Sequence, residues 1–128
     1  MMKKLTPNIM VNDVNATVPF YKDVLGFEMV MSVPETGLFD WALLRAGSVE
    51  IMLQSTSSLT RDLPEFNGKP AGGTLIFYID VKDVRQLHAS VKGKVAITKE
   101  MQKTFYGTEE FTIKDPNGYY LTLAGGGE

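Results

Sequence analysis

Apolar and polar residues alternate along eight short stretches of this chain, and twice the spacing changes to that of a helix. Alternation sends successive side chains to opposite faces of a strand, whereas apolar residues three or four apart share one face of a helix. In the opening strand Leu5, Ile9 and Val11 form the core side, and Thr6, Asn8 and Met10 oppose them. A helical stripe of Val18, Tyr21, Val24 and Leu25 follows, stopped by Gly26, with Phe27 folding back on the last turn. Pro19 deep inside a helix would cost about 3 kcal/mol. The spacing therefore predicts Asn15 as N-cap, which brings the proline near the first turn. Strands are expected at 28–33, 39–46 and 48–54.

The second half repeats the order. A strand at 74–81 is followed by a helix capped by Asp83, with a stripe of Val84, Leu87 and Val91, and then by strands at 95–99, 109–114 and 119–124. The words "VNDV" and "VKDV" mark the repeat, with Val11-x-Asp13-Val14 and Val81-x-Asp83-Val84 lying 70 positions apart (81 − 11). Each half reads β-α-β-β-β, a duplicated module rather than a solenoid. The fold class is α+β in one domain, 1–128, with module one at 4–54 and module two at 74–124. Between them 55–73 is polar and rich in Gly, Pro and Ser, and is expected to be a linker. "GGGE" at the end is expected to be a flexible tail.

Composition narrows the function. At 128 residues the chain can bury a core. Its 44% apolar and 22% charged residues are ordinary for a globular protein. A net charge of −2 gives no basic footprint for nucleic acid or anionic lipid. The absence of cysteine removes disulfides, thiol catalysis and thiolate metal sites. "MMKKLTPNIMVNDV" has no apolar signal-peptide core, and no run is long enough to span a bilayer, so the expected location is the cytoplasm.

Candidate chemistry follows from alternation. Opposite the core side of the strands lie Asn8, Met10, Glu50, Met52, Gln54, Ile76, Tyr78, Glu110, Tyr120 and Thr122. Met10, Met52, Ile76 and Tyr78 are poor choices for open solvent. A concave face of apolar and aromatic groups with a few polar ones suits a small molecule. Glu50, Asp80 and Glu110 are candidate acid or base groups if they converge, and ordinary solvated or ion-paired carboxylates if they do not. His88, the only histidine, sits beside the apolar stripe of the second helix and reads as a boundary residue.

The doubled module and the words "VNDVNATVPFYKDVLGFEMV", "GSVEIMLQ", "FYIDVKDV" and "YGTEEFTIKDPNGYYLTLA" resemble the vicinal oxygen chelate superfamily over nearly the whole chain. That superfamily holds glyoxalase I, extradiol dioxygenases, fosfomycin resistance enzymes and bleomycin resistance proteins. The resemblance implies a curved mixed sheet, or half-barrel, with helices outside and a cleft often completed in a homodimer. Metal-using members place a His at the start of each module's first strand and a Glu in its closing strand. The matching positions are Thr6 and Ile76, and Glu50 or Met52 and Thr122. At most one acidic ligand remains, so the resemblance points to the metal-free, bleomycin-resistance-like branch, with no metal, no cofactor and no catalytic residue. That branch often lines its cleft with aromatics at the positions of Trp41 and of Tyr106, in "YG". Trp41 shares parity with Phe39 and Leu43, so core packing is an equal reading of it.

The expected function is sequestering or sensing of a small molecule, aromatic or cationic, as in antibiotic resistance. Its binding residues would be Asn8, Trp41, Glu50, Met52, Gln54, Tyr78, Tyr106, Glu110, Tyr120 and Thr122. The alternatives are a lyase, isomerase or dioxygenase using unorthodox metal ligands such as Glu50 and Glu110, and an interaction protein that retains the fold.

Overall fold

The computed structural model describes residues 1–126. It is α+β, two βαβββ modules each built on a four-stranded mixed sheet. The chain divides into two compact units, Met1–Gly72 and Gly73–Glu128.

In the first unit the sheet order is β1 (Asn8–Val11), β4 (Val49–Ser55), β3 (Trp41–Ala46), β2 (Glu28–Val33). β1 runs parallel to β4 and the other pairs are antiparallel. Helix α1 (Val14–Leu25) packs on one face. That face supplies the core: Val11, Val14, Tyr21, Leu44, Ile51 and Leu53 are fully buried. Gly26 stops α1 at φ 76°, its N–H reaching Lys22 O at 3.1 Å while Phe27 N–H reaches Tyr21 O at 3.0 Å. This is the left-handed glycine stop read from the sequence. Phe27 meets the Tyr21 ring edge-on at 5.7 Å.

The start of α1 corrects the sequence expectation. Asp13, not Asn15, is the N-cap, accepting from Ala16 N–H at 3.1 Å, and Pro19 lies inside the helix. Asn15 is engaged elsewhere. Its amide accepts from Phe39 N–H at 2.8 Å and donates to Gly37 O at 2.9 Å, pinning the β2–β3 loop to the helix. These bonds, with the cap at Asp13, outweigh the helical hydrogen bond that Pro19 cannot donate. Leu5 also departs from expectation, for it precedes β1 and is 84% exposed. Pro7 O still accepts from Met52 N–H at 2.8 Å, but Pro7 has no N–H with which to extend the ladder.

Part of the expected linker is ordered structure. Helix α2 (Thr56–Asp62) is capped by Ser55, whose hydroxyl accepts from Ser58 N–H at 3.2 Å, and a 3₁₀ turn (Pro64–Phe66) follows. Leu59 of α2 is buried. The short helix fixes its polar run through side-chain bonds to its own backbone, which composition alone reads as loop.

In the second unit the order is β5 (Ile76–Asp80), β8 (Tyr120–Gly125), β7 (Glu109–Lys114), β6 (Ile97–Lys103). Helix α3 (Val84–Val91) is capped by Asp83 as expected and contacts β7 and β8. Phe111, Ile113, Leu121 and Leu123 form the core beneath it. His88 stands at the edge of that core, its ring edge-on to Phe111 at 5.0 Å and its Nε2 2.9 Å from Glu100 Oε1. The turn before β8 is held by Asp115, whose Oδ1 accepts from the backbone N–H groups of Asn117 and Tyr119, both at 2.8 Å.

β6 begins later and runs further than 95–99, through two register irregularities, because its hairpin with β7 continues to the Lys103–Glu109 pair. The tail expectation also needs correction at its first residue. Gly125 ends β8 and is buried, and a Cβ there would lie 2.8 Å from Val81 O. Glycine is needed because two backbones approach closely there. Gly127 and Glu128 lie outside the described residues.

Candidate functional site

The strand registers decide which side chains share a face. In the first unit Met10, Gln54, Trp41 and Val33 form one row across the sheet, and Asn8, Met52, Leu43 and Met31 the next. Glu50 and Arg45 pair in a third. All point away from the fully buried Ile51, Leu53 and Leu44 and so make up the far face, opposite α1. Trp41 belongs to this face, half-buried beside Leu43 and Met52, rather than to the core under α1.

The polar groups of this face are largely satisfied within the unit. Asn8 Nδ2 donates to Gln54 Oε1 at 2.8 Å. Gln54 Nε2 donates in turn to Ser58 Oγ at 3.0 Å and Asp62 Oδ2 at 2.8 Å, both on α2. Gln54 is only 7% exposed, so its amide ties β4 to α2. Glu50 is clamped by two cations. Arg45 donates to Oε2 at 2.6 Å and Lys4 pairs with Oε1. The hydrogen bonds from Lys4 and then Arg45 hold the Glu50 carboxyl below the usual carboxylate range.

In the second unit the corresponding rows are Asp80, Ala124, Glu110 and Gln102, then Tyr78, Thr122, Thr112 and Lys99, then Ile76, Tyr120 and Lys114. Thr122 is buried and shares a 2.9 Å hydrogen bond with the Thr112 hydroxyl. The Lys114 ammonium sits 5.7 Å from the Tyr120 ring centroid, within cation–π range.

Glu110 is the focus of this face. Its Oε2 accepts from Tyr78 Oη at 2.7 Å, from Tyr106 Oη at 3.0 Å and from Thr108 Oγ1 at 3.3 Å. The β6–β7 loop brings Tyr106 there. Thr104 N–H donates to Thr108 O at 2.8 Å, the two threonine hydroxyls lie 2.8 Å apart, and Gly107 turns at φ 93°. The Tyr78 hydroxyl, bonded to the Glu110 carboxylate, has its pKa pushed up to about 12, first by that hydrogen bond and then by desolvation. At neutral pH Tyr78 is thus a donor and not a base.

The residues at the metal-using family's ligand positions do not fit a divalent ion. Met52 and Thr122 occupy equivalent places, each 70 residues apart and each paired with the equivalent residue of its first strand, Asn8 or Tyr78. They offer a thioether and a hydroxyl already bonded to Thr112. Thr6 and Ile76 stand where histidines would be, and both oxygens of Glu50 are taken by cations. Hard divalent ions need several nitrogen or carboxylate-type oxygen donors. Among the described residues no three His, Asp or Glu side chains gather as such a set. Nor, among the described residues, is any helix long and apolar enough to cross a membrane.

Alternation alone placed Asn8, Glu50, Met52, Gln54, Tyr78, Glu110, Tyr120 and Thr122 on the correct faces. It missed the partners that set their chemistry: Lys4 and Arg45 on Glu50, Ser58 and Asp62 on Gln54, Thr108 on Glu110 and Thr112 on Thr122. Arg45 had a signal, since the tight turn at Gly47 and Ser48 places it directly opposite Glu50.

Similar folds are widespread among solved structures. A protein of unknown function from Agrobacterium tumefaciens str. C58 is 20% identical, with a TM-score of 0.82 and 98% of this chain and 94% of that chain covered. TioX from Micromonospora sp. ML1 is 19% identical, with a TM-score of 0.76 and coverage of 98% and 99%. A lactoylglutathione lyase from Agrobacterium tumefaciens is 20% identical, with a TM-score of 0.72 and coverage of 97% and 93%. No curated protein matches the sequence. The family model described as Glyoxalase/Bleomycin resistance protein/Dioxygenase superfamily matches residues 5–123. With that match spanning nearly all of both βαβββ modules, the chain belongs to the glyoxalase/bleomycin resistance protein/dioxygenase superfamily.

Proposed function

We propose that this chain is a metal-free small-molecule binding protein that sequesters or senses its ligand, acting as a cytoplasmic homodimer. The observation that carries this reading is the chemistry of the far faces. They hold Trp41, Met52, Tyr78, Tyr106 and Tyr120, while the equivalent closing-strand positions Met52 and Thr122 carry no carboxylate. Such faces bind by shape, stacking and a few hydrogen bonds. A drug-sequestering role in antibiotic resistance is one form this function takes. Two of the ionisable far-face groups also supply little for catalysis. Glu50 is a neutralised carboxylate, and Tyr78 keeps its proton well above neutral pH.

A thermal-shift screen over aromatic antibiotics, amines and 2-oxo compounds, with and without divalent metals, tests the reading. A specific ligand at a hundred times its Kd should stabilise the fold by about 2.7 kcal/mol without added metal. Stoichiometric Mn, Fe, Ni or Zn in protein purified without chelator, lost in Glu50→Ala, would overturn it in favour of a metal-dependent enzyme. A fold that no compound stabilises would favour a protein–protein role.

A further inference from the structure

Glu110 differs from the other well-placed carboxylates of its unit. Glu109, its neighbour in sequence, points to the other face and pairs with Arg85 at 2.7 Å. Glu100 pairs with His88. Glu110 has no basic partner among the described residues, only three neutral hydroxyl donors, and all three converge on Oε2. No hydrogen bond or ion pair from the described residues falls on Oε1. Its cross-strand neighbours are Gln102 and Ala124, neither of them charged, and beyond Ala124 in the same row stands a second carboxylate, Asp80, also without a basic partner. The two tyrosines that hold Oε2 expose their rings, with Tyr78 at 52% and Tyr106 at 55%.

A half-buried carboxylate with one oxygen fixed and the other open, flanked by two electron-rich rings, has the features that recognise a cationic nitrogen. The open oxygen accepts a charge-assisted hydrogen bond. The exposed tyrosine rings beside it offer stacking surface to the apolar part of an amine-bearing ligand. The hydroxyl bonds hold the carboxylate in place before a ligand arrives, which lowers the ordering cost of binding. We infer that Glu110, Tyr78 and Tyr106 form the recognition point for the positively charged nitrogen of an amine-bearing ligand. This inference rests on the binding function proposed above and adds the ligand's charge and the residues that read it.

The test uses the full chain and two probes of matched shape, 2-phenylethylammonium and the neutral 2-phenylethanol, followed by NMR. The cation should shift the ring signals of Tyr78 and Tyr106 and the amides of Thr108 and Glu110, and should bind at least about tenfold more tightly than the alcohol. Glu110→Gln keeps an oxygen acceptor for the three hydroxyls while removing the charge. It should weaken the cation about ten- to hundredfold and leave the alcohol unchanged. Tyr78→Phe and Tyr106→Phe keep the rings and should each cost less, about two- to fivefold. Equal binding of the two probes, or a Glu110→Gln variant that binds the cation as before, overturns the inference while leaving a binding function intact. If neither probe binds and the wider screen finds only neutral ligands, the inference falls alone. If that screen is also empty, both fall.

Discussion

The two modules follow one chain path 70 residues apart and treat an acidic group on the far face in opposite ways. Glu50 in module one is clamped between Lys4 and Arg45. Glu110 in module two is held by hydroxyls alone. In the first case the carboxylate is more than offset by two cations, and the rest of the face is left to Trp41, Leu43 and Met52. In the second, the carboxylate is held through the hydroxyls of two exposed tyrosines and of Thr108. Duplication therefore preserved the backbone scaffold while the side chains on equivalent faces diverged. One face is suited to apolar and aromatic contact, the other to a cation. Fold and site are separable in this way because the core side of each strand is constrained by packing against a helix and the far side is not.

The largest effect should come from placing a carboxylate at the equivalent positions Met52 and Thr122. Thr122 is buried, its hydroxyl is bonded to Thr112, and the cation of the adjacent row, Lys114, sits over the Tyr120 ring, so Thr122→Glu should cost about 3 kcal/mol or more. Met52 is half-buried with Arg45 on the same face, so Met52→Glu should cost less than about 1 kcal/mol. Urea midpoints measure both, and equal losses would erase the proposed contrast.

Next in size is Trp41→Ala, which strips a half-buried ring from the apolar rows of module one and should cost about 2 kcal/mol. Trp41 is the only tryptophan, so its fluorescence reports that face alone. A ligand bound on that face should change its emission.

A smaller and more local effect concerns Tyr78. Its hydroxyl titrates at about 12 instead of the ordinary 10. A raised acid pKa in the fold means that the Tyr78–Glu110 bond stabilises the protein fully below pH 10 and is lost as pH rises towards 12. In a spectrophotometric titration, Glu110→Gln should move one of the five tyrosines back towards 10. A late-titrating tyrosine that persists in Tyr78→Phe would show that another residue is responsible.

The smallest effect is at Glu50. Its carboxyl pKa lies below the ordinary value, so the Lys4 and Arg45 contacts add stability above the ordinary carboxylate range, and this fades as pH falls through the lowered value. Lys4→Ala with Arg45→Ala should flatten that part of the acid profile of the urea midpoint. An unchanged profile would mean that the clamp does little in solution.

Much of this was legible from residue pattern alone. Two-residue alternation and the V-x-D-V repeat defined both modules, the strand faces, the Asp83 cap and the Gly26 stop, because each depends on local geometry or on which side meets a helix. Propensity failed where a long-range bond outweighed it. Asn15 looks like a cap, but its amide is occupied by the loop at Gly37 and Phe39. The polar run after Ser55 looks like linker but caps itself into a helix whose Ser58 and Asp62 take up Gln54. Gly125 looks like tail, but only glycine fits against Val81 O.

The sequence by itself determined the family scaffold, the two faces of each sheet, the lack of histidine at the family's ligand positions and that at most one closing-strand carboxylate, Glu50, remains there. The faces follow from a period of two, and the scaffold and ligand positions from the family resemblance. Only the tertiary structure decided which acid is neutralised and which is left open. Glu50 and Glu110 are the same residue type on the same kind of face, and they differ through partners that the chain brings from elsewhere: Lys4 from before β1, Arg45 across a hairpin, Tyr78 from another strand and Tyr106 from a stapled loop. Ionisation energies fall off steeply with distance and depend on the donors in reach, and that reach is fixed only once strands are in register.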